Sequence, residues 1–250
     1  VVVEEFLTGP EVSVLSFTDG KVVKPMVSSM DHKRANDHDT GLNTGGMGTV
    51  APNPYYTPAI AAECMEKIFL PTIQAMNAEG CPFKGCLYFG LMLTPDGPKV
   101  IEYNCRFGDP ETQVVLPLLE GDLLHIMEAC TNGTLADEDV KFSDGAAACV
   151  ILASGGYPVA YEKGKPISGL VDGQLPDEEN VTVYHSGTAL TEDGTLVTNG
   201  GRVLGVTATG PRLTNALSHA YEAAEKIHFD KLHKRSDIGL RALKALAEKQ

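Results

Sequence analysis

The stretch from Lys99 to Gln113 constrains the fold most, because it joins a strong β-strand signal to polar residues at a fixed spacing. The strand signal comes from Val100, Ile101 and Tyr103. Glu102 and Asn104 lie two residues apart, so their side chains project from the same face of that strand. A carboxylate and an amide oxygen suit Mg²⁺, which takes one or two protein oxygens and completes its octahedron with waters and phosphates. We therefore expect a strand that carries a metal and phosphate site.

More charged groups follow this predicted strand. Arg106 lies on the same face if the strand continues, and a permanent cation beside a metal-bound phosphate offsets the charge that develops in phosphoryl transfer. After Gly108, Asp109 and Glu111 add two carboxylates ahead of an apolar run. The same alternation also describes a half-solvated edge strand without a function. The spacing alone does not decide between these two interpretations.

The full string of residues 102–113, Glu-Tyr-Asn-Cys-Arg-Phe-Gly-Asp-Pro-Glu-Thr-Gln, favours the functional interpretation. It resembles the signature of the glycinamide ribonucleotide synthetases, or phosphoribosylamine-glycine ligases, which belong to the ATP-grasp family. This resemblance implies that Glu102 and Asn104 bind the Mg²⁺ or Mn²⁺ of a metal-ATP complex. Many ATP-grasp enzymes carry a third acidic ligand on the preceding strand, but Gly90 stands at the corresponding place here. Only two protein ligands are therefore expected.

The N-terminal segment combines an apolar run with acidic residues. Val1 to Leu7 is predicted to be a buried strand, and because the chain opens directly on it, without an initiator Met or a signal sequence, we expect a missing upstream part. Gly9-Pro10 marks a turn, and Glu11 beyond it is placed to accept hydrogen bonds from ribose hydroxyls. A surface turn with solvated carboxylates is the alternative.

The resemblance extends to this segment. It implies the hinge of an ATP-grasp module, in which Glu11 contacts ribose, and it implies that the chain corresponds to roughly the C-terminal three-fifths of a synthetase. The main chain of four residues is implied to contact adenine: Glu4, Glu5, Phe6 and Leu7.

A hairpin and a glycine-rich segment come next. The arms of the hairpin are the predicted strands Val12–Thr18 and Lys21–Val27. Asp19-Gly20 between them is a signal for a type I′ turn. After Arg34 an irregular stretch is predicted as far as Pro54, and long loops in compact domains are usually functional or disordered. Its segment 43–48, Asn-Thr-Gly-Gly-Met-Gly, offers backbone amides for an anion, although it is no Walker A loop; a flexible surface loop is the alternative.

The resemblance assigns this region to the border of the active site. Lys33 matches the position at which related ATP-grasp enzymes place a lysine that contacts phosphate. The implied substrate contacts of the region are Asp31, Arg34, Gly45 and Gly46.

The other segments are predicted to be scaffold. Helices are expected from Thr57 to about Asn77 with a kink at Pro71, over Thr112–Cys130 with a stop at Asn132-Gly133, over Leu213–Ile227 and over Ile238–Glu248. Strands are expected at Gly85–Thr94, followed by a hairpin turn at Asp96-Gly97, and at Ala146–Ala153, Val181–His185, Thr195–Thr198 and Arg202–Thr209. Polar, acidic composition between Thr134 and Gly145 indicates a domain boundary.

The predicted fold class is α+β. With the resemblance, it is the second half of an ATP-grasp domain, an antiparallel sheet with helices at residues 1–137, followed by a smaller C-terminal α+β domain at residues 138–250. A substrate domain and the first ATP-grasp half would be absent. The C-terminal resemblance rests on Gly155-Gly156-Tyr157-Pro158, on Thr198–Arg202 and on Arg235–Gly239. Within it, His185 and Arg202 are expected to be structural hydrogen-bonding residues.

Composition excludes several classes of function. A formal net charge of −13 over 250 residues argues against non-specific nucleic-acid binding, and no apolar run is long enough for a bilayer. The six cysteines include no C-x-x-C pair, so we expect reduced core thiols in a cytoplasmic protein rather than a zinc site. Cys105 should face away from Glu102 and Asn104, which argues against a nucleophile.

The resemblance implies an ATP-dependent ligation. ATP would activate glycine as glycyl phosphate, and the amine of 5-phosphoribosylamine would attack it, at an early step of purine synthesis. Lys33 would hold phosphate oxygens, and Arg106 would stabilise the acyl phosphate or position the glycine carboxylate. Asp109 and Glu111 are hypothesised to receive the ammonium group of glycine. Another carboxylate-amine ligase and a non-catalytic fragment or interaction module are the alternatives, and we expect this chain alone to have little ligase activity.

Overall fold

The computed structural model describes residues 1, 3–176 and 178–249, and these residues form the predicted α+β fold. The strands, numbered in chain order, are β1 Glu11–Thr18, β2 Val23–Pro25, β3 Met30–Asp31, β4 Arg34–Asn36, β5 Thr40–Asn43, β6 Gly48–Ala51, β7 Gly85–Thr94, β8 Gly97–Asn104, β9 Leu119–Glu120, β10 Lys141–Phe142, β11 Ala146–Ser154, β12 Val181–His185, β13 Thr188–Leu190, β14 Leu196–Thr198, β15 Arg202–Gly210 and β16 Leu232–His233. The helices are α1 Pro58–Cys64, α2 Leu70–Ala78, α3 Thr112–Val115, α4 Leu123–Asn132, α5 Leu213–Ala224 and α6 Leu240–Ala247, with a π-helical segment at Met65–Phe69 and 3₁₀ turns at Asp37–Asp39, Leu116–Leu118 and Leu135–Asp137. None of the described helices is long and apolar enough to cross a membrane.

The chain forms two compact units that interleave along the sequence. Unit 1 contains Val1–Ser29, Pro52–Gly108 and Leu119–Ser143. Unit 2 contains Met30–Ala51, Asp109–Leu118 and Asp144–Gln250. Because unit 2 takes two segments from the first half of the chain, the two units cannot be separated by dividing the sequence at one position. The domain limits 1–137 and 138–250 stay a prediction about sequence domains.

Unit 1 is built on an antiparallel sheet with the strand order β2-β1-β7-β8. Val12 pairs with Leu91 and Val14 pairs with Phe89, which places these apolar side chains on one face of the sheet. Helical residues pack against this face, among them Cys64, Ile68, Phe69 and Ile73. Full burial of a side chain of this kind contributes about 2 kcal/mol through the hydrophobic effect. This face is therefore core, and on the opposite face Leu15 and Phe17 of β1 are buried as well, whereas Glu102 of β8 is exposed.

The helical segment over this sheet begins and bends where the sequence predicts. The hydroxyl of Thr57 accepts a hydrogen bond from the Ile60 amide at 3.4 Å, and Pro58 occupies the first turn, where no amide partner is needed. Pro71 cannot donate to the carbonyl group of Lys67, four residues earlier. The π-helical segment Met65–Phe69 lies directly before it, so the predicted kink is a local change of helix type.

The hairpin at Asp19-Gly20 is confirmed, but its predicted turn type is wrong. Thr18 pairs with Val23, so four residues rather than two connect the strands. Asp19 is not among the residues with positive φ, which a type I′ turn requires. Its carboxylate instead accepts hydrogen bonds from the amides of Lys21 and Val22, at 2.9 and 3.0 Å. The side chain therefore closes a wider turn.

The buried strand predicted for Val1–Leu7 is wrong. The described residues of this segment form no strand, and Phe6 is 90% exposed. The apolar composition predicts a strand, but no strand in the described part of the chain pairs with this segment, and a strand needs a partner to satisfy its backbone groups.

The single helix predicted for Thr112–Cys130 is also wrong. The structure has α3, a 3₁₀ turn at Leu116–Leu118 that contains Pro117, the short strand β9 and then α4. Asp122 begins α4 by accepting hydrogen bonds from the Leu124 and His125 amides, at 2.9 and 3.2 Å. The predicted stop is confirmed, since Gly133 adopts φ 76° directly after α4.

Unit 2 contains a larger sheet with the order β12-β15-β11-β6-β3, and β16 pairs with β11. All nine residues of β11 are buried, and α5 packs against β11 and β15. The irregular stretch predicted between Arg34 and Pro54 is wrong, because it contains β4, β5 and β6. β6 is specified by a distant partner: Val50 pairs with Ala148 of β11.

The six cysteines are free thiols. Cys64, Cys130 and Cys149 are buried, as expected for core thiols. Burial raises the pKa of the Cys149 thiol to about 12, so this group is protonated and unreactive at neutral pH.

Candidate functional site

Glu102 and Asn104 lie side by side on the face of the unit 1 sheet that is opposite α1 and α2. Glu102 pairs with Gly90 of β7, and Asn104 pairs with Tyr88. The Asn104 amide nitrogen donates to Glu102 Oε1 at 3.2 Å. A Cβ atom at residue 90 would lie only 2.9 Å from Glu102 Cγ, so the Glu102 side chain occupies the place of a third ligand. The prediction that Glu102 and Asn104 project from the same face of one strand is therefore confirmed.

Arg106 continues this polar row. Its Nη2 donates to Asn104 Oδ1 at 3.3 Å, and its Nη1 donates to the Phe107 carbonyl at 3.0 Å. Cys105 lies on the other side, where it lines an apolar groove between α2 and β8 together with Tyr103 and Val100. The structure therefore brings the predicted metal pair and its cation together and separates Cys105 from them.

The donor set of this row fits a hard divalent cation. Glu102 is exposed and supplies carboxylate oxygens, and Asn104 supplies an amide oxygen, which accepts a hydrogen bond from Arg106 in this structure. No group of three or more His, Cys, Asp or Glu side chains in the described residues is placed to hold a metal ion. The Glu102–Asn104 pair is thus the candidate metal site.

The residues predicted to contact adenine and ribose are exposed or half-buried. Glu5 forms an ion pair with Lys99 at 2.9 Å, and Glu11 begins β1. The Glu11 carbonyl accepts a hydrogen bond from the Asn53 side chain at 3.0 Å, which fixes the main chain at the start of that strand. Glu4, Phe6 and Leu7 lie in the extended segment before Gly9. Their predicted contacts stay a prediction.

A second polar cluster lies in unit 2 and contains Asp31, Lys33 and Glu111. The Asp31 side chain is only 4% exposed, and Glu111 as a whole residue is also only 4% exposed. Lys33 Nζ lies 3.5 Å from Asp31 Oδ2, and the Asp31 Oδ1 atom accepts the His32 amide at 2.7 Å. Burial and then the negative charge of Glu111 raise the pKa of Asp31 to about 7, against the lowering effect of Lys33. The cluster therefore combines two buried carboxylates with one ammonium group.

His32, which lies between Asp31 and Lys33 in the sequence, is held by two hydrogen bonds to the main chain. Its Nδ1 donates to the Gly48 carbonyl at 3.0 Å, and its Nε2 accepts the Gly239 amide at 3.1 Å. Burial, followed by the charges of Arg241 and Arg235, lowers the pKa of His32 to about 4. His32 is therefore a neutral residue that fixes the main chain between Asp31 and Lys33.

The glycine loop, residues 43–48, does not present free amides to an anion in this structure. The Gly45 amide donates to the Tyr157 hydroxyl at 3.0 Å, and the Gly46 amide donates to Thr44 Oγ1 at 3.0 Å. Gly46 has φ 115°, and a Cβ atom there would lie 2.5 Å from Pro110 Cδ and 2.7 Å from Asp31 Oδ1. The glycine allows the loop to approach the carboxylate cluster, which is a different use from the expected anion cradle.

Arg202 and Asp109 join this loop to the turn that follows residue 108. Arg202 donates to the Gly45 and Asp109 carbonyls, both at 2.9 Å, and to Asp109 Oδ2 at 3.0 Å. The other Asp109 carboxylate oxygen accepts Gln113 Nε2 at 2.8 Å. Both oxygens of this predicted substrate ligand are thus already engaged. Arg202 was expected to be structural, and its partners confirm that; so do those of His185, which bonds Gly173 and Thr188.

Arg34 has no direct link to the carboxylates, since its side chain donates to the Gly41 carbonyl at 2.8 Å within its own hairpin. Sequence reasoning missed the residue that holds this hairpin, Arg235, which is buried and donates to the Arg34 carbonyl at 3.1 Å. The sequence signal for it is the string Arg235–Gly239, which carries part of the C-terminal resemblance.

Comparison with known proteins gives matches along the chain. The family model described as phosphoribosylglycinamide synthetase, ATP-grasp (A) domain, matches residues 1–112, and the model described as phosphoribosylglycinamide synthetase, C domain, matches residues 147–241. The phosphoribosylamine–glycine ligase of Synechocystis sp. is 49% identical over 245 residues, which are 97% of this chain and 58% of that protein.

Solved structures agree with these matches. The crystal structure of the phosphoribosylamine–glycine ligase from Thermotoga maritima has a TM-score of 0.83 at 39% identity and covers 94% of this chain and 57% of that chain. The biotin carboxylase domain of Hydrogenobacter thermophilus 2-oxoglutarate carboxylase, at 15% identity, covers 90% of this chain and 46% of that chain with a TM-score of 0.61, which shows a shared ATP-grasp fold.

The chain thus spans a little over half the length of these ligases. The two family models together cover most of its residues, and both describe parts of the same synthetase. On this evidence the chain belongs to the phosphoribosylglycinamide synthetase family.

Proposed function

We propose that the protein containing this chain ligates glycine to 5-phosphoribosylamine at the expense of ATP, through glycyl phosphate. The products are glycinamide ribonucleotide, ADP and phosphate, and the step belongs to de novo purine biosynthesis in the cytoplasm. The observation that carries the proposal is the 49% identity over 245 residues with a phosphoribosylamine–glycine ligase. The partners of this reaction are small molecules, with no nucleic acid and no membrane among them.

Unit 1 is proposed to bind the metal-ATP complex. Glu102 and Asn104 would hold Mg²⁺ or Mn²⁺, and when bound the ion neutralises charge on the ATP phosphates. The donor chemistry of the pair supports this role, and the related biotin carboxylase domain was solved with the magnesium salt of ADP. The main chain of residues 4–7 would contact adenine, and Glu11 would contact ribose.

Unit 2 is proposed to bind phosphate and the amino acid. Lys33 is 40% exposed, so its ammonium group can contact a phosphate oxygen while it stays beside Asp31. Asp31, Asp109 and Glu111 would surround the ammonium group of glycine, because carboxylates stabilise a positive charge. Arg34, Gly45 and Gly46 would border this pocket.

The reaction needs no protein nucleophile. The glycine carboxylate attacks the γ-phosphorus of ATP, ADP leaves, and the amine of phosphoribosylamine then displaces phosphate from the acyl carbon. Arg106 would stabilise the charge on the acyl phosphate, and Lys33 would hold phosphate oxygens. These residues act by placing charges and orienting groups. Cys105 is therefore not needed as a nucleophile.

The direct test is ADP release by the native polypeptide that contains this chain. We expect turnover only when ATP, glycine and phosphoribosylamine are all present, with glycinamide ribonucleotide as product. ADP release that needs glycine but accepts a different amine would indicate another carboxylate-amine ligase. No ADP release from the native polypeptide under any combination would contradict the proposal and favour an interaction module.

A mass measurement of that native polypeptide belongs with this assay. The 250-residue chain alone is expected to have little activity, and turnover at an ordinary enzyme rate of about 1 to 1,000 per second would contradict this expectation. A native mass well above 26.6 kDa would support a longer synthetase, whereas a mass of 26.6 kDa would favour a protein completed by a partner.

The metal site has a test of its own. Glu102→Gln keeps the shape of the side chain but removes its charge, so it should weaken Mn²⁺-ATP binding about tenfold or more, as followed by calorimetry. Glu120→Gln is a matched control, because Glu120 is an exposed glutamate on another strand pair of the same unit. Equal affinities for the two variants would remove Glu102 from the metal site.

The glycine contact of Asp109 is tested by Asp109→Ala. If its carboxylate receives the ammonium group, the KM for glycine should rise far more than the KM for ATP. Equal effects on both would assign Asp109 a structural role through Arg202.

A further inference from the structure

Arg202 connects two segments that lie far apart in the sequence and that are both proposed to border the glycine pocket. It begins β15, and its guanidinium group is only 18% exposed. Nη1 donates to the carbonyls of Gly45 and Asp109, and Nη2 binds the Asp109 carboxylate. The planar guanidinium therefore fixes the glycine loop relative to the Asp109 turn at several atoms, which a single ammonium group cannot reproduce.

Tyr157 holds the same loop from a second direction. Its hydroxyl accepts the Gly45 amide, and its ring packs on Gly201, where a Cβ atom would lie only 2.2 Å from Tyr157 Cδ2. Ser154 fixes this arrangement, because its amide donates to the Gly201 carbonyl and its hydroxyl donates to the Gly200 carbonyl, both at 2.8 Å. The strings Gly155–Pro158 and Thr198–Arg202 thus form one clamp on the glycine loop.

The clamp determines the shape of the carboxylate cluster. Gly46 follows the clamped residue and lies against Asp31 and Pro110, and Pro110 separates Asp109 from Glu111. A shift of the glycine loop would therefore change the space between the three carboxylates. Tyr157 accepts a main-chain amide, and Arg202 donates to two main-chain carbonyls and to the Asp109 carboxylate, so the clamp sets the position of the loop and of that carboxylate.

We propose that Arg202, assisted by Tyr157, is a positioning residue for glycine binding. The proposal rests on the proposed ligase function. Arg202 and Tyr157 hold the glycine loop and the Asp109 turn at the separation that the ammonium group of glycine requires, and they do not contact the nucleotide phosphates.

The test compares conservative variants of the native polypeptide with matched controls. Arg202→Lys keeps the charge but loses the multiple bonds, and it should raise the KM for glycine about tenfold to hundredfold. Tyr157→Phe loses only the hydroxyl and should raise it roughly twofold to tenfold. The KM for ATP should change less than about twofold in both, a split that general loss of structure would not produce.

Two controls isolate the clamp. Tyr161→Phe removes a neighbouring hydroxyl that makes no hydrogen bond within the described residues, and Arg212→Lys changes an exposed arginine outside the clamp. Both should keep the wild-type KM for glycine. An unchanged KM for glycine in Arg202→Lys and Tyr157→Phe, or an equal rise in the KM for ATP, would overturn the proposal.

Hydrogen exchange supplies a readout that does not depend on activity. Tyr157→Phe removes the acceptor of the Gly45 amide, so exchange at that amide should become faster, while exchange within β11 should be unchanged. Faster exchange without any ligase activity in the wild-type protein would refute the proposed function but not the clamp. Unchanged exchange at the Gly45 amide of Tyr157→Phe would refute the clamp itself. This measurement decides the question even if Arg202→Lys fails to fold.

Discussion

Replacing Arg235 by alanine should destabilise unit 2 severely. The guanidinium is 1% exposed and donates to both carboxylate oxygens of Asp237, at 2.7 and 2.9 Å, and to Asp39 at 3.0 Å. Removal of one partner from a buried ion pair typically costs about 3 to 5 kcal/mol. Asp39 is 35% exposed and can regain water, and Asp237 keeps the amide of His38. We therefore place the loss at about 3 kcal/mol, the lower end of that range.

Urea unfolding of the variant measures this loss. Far-UV circular dichroism is the suitable signal, because the sequence contains no tryptophan. Arg241→Ala is the matched control: Arg241 binds the same Asp39 at 3.3 Å but is 52% exposed. An exposed pair of this kind contributes about 0 to 1 kcal/mol. The two variants thus compare a buried and an exposed arginine that share the partner Asp39.

The acid side of the stability profile gives a second measurement. Burial raises the pKa of Asp237, but hydrogen bonds from Arg235 and the His38 amide outweigh this effect and lower the pKa to about 2. A carboxyl group with a lowered pKa adds stability above its unfolded value of 3.8, and this stability is lost as the pH falls through about 2. Arg235→Ala should reduce that acid-dependent loss. A cost below about 1 kcal/mol at pH 7, or equal costs for the two arginine variants, would refute the reasoning.

Two further predictions concern the carboxylate cluster. Because burial and Glu111 raise the pKa of Asp31 to about 7, the stability linked to its protonated form is present below pH 3.8 and is lost as the pH rises through 7. Asp31→Asn should therefore have a higher urea midpoint than the wild type at pH 8 and a smaller advantage at pH 5; a constant difference would contradict this. Gly46→Ala should cost about 1 to 3 kcal/mol in urea unfolding, because its Cβ meets Pro110 and Asp31 at a φ of 115°. Gly80→Ala, which has φ 73° but open space, is the control that measures the backbone strain alone.

Local rules account for the parts of the site that sequence predicts. Glu102 and Asn104 share a face because side chains alternate along any strand, and the strand itself follows from Val100, Ile101 and Tyr103. β11 is similarly evident, since an uninterrupted apolar run bounded by turn residues is typical of a strand that is buried on both faces. Such features depend on residues within one element.

Features that depend on distant partners are not visible in the sequence. Val1–Leu7 has the composition of a strand, yet no described strand pairs with it, whereas β6 is a strand because β11 pairs with it. The bond from Arg202 to Gly45 spans 157 positions, and the bond from Arg235 to Arg34 spans 201. The sequence marks Arg202 only as a structural hydrogen-bonding residue and gives no partner for either arginine, so the bonds that they make emerge only from the packed structure.

The two arginines lead to one conclusion about how unit 2 is organised. The segment Met30–Ala51 carries Lys33 and the glycine loop, but among the described strands β4 and β5 within it pair only with each other. Isolated two-stranded hairpins are marginally stable in water. The hairpin is therefore ordered by bonds from residues near the C-terminus, above all Arg235, and the loop beyond it is ordered by Arg202. If this is correct, Arg235→Ala should speed hydrogen exchange in β4 and β5 more than in β11, because β11 is stabilised by its own sheet; uniform acceleration across unit 2 would mean that Arg235 supports the whole unit and not the hairpin.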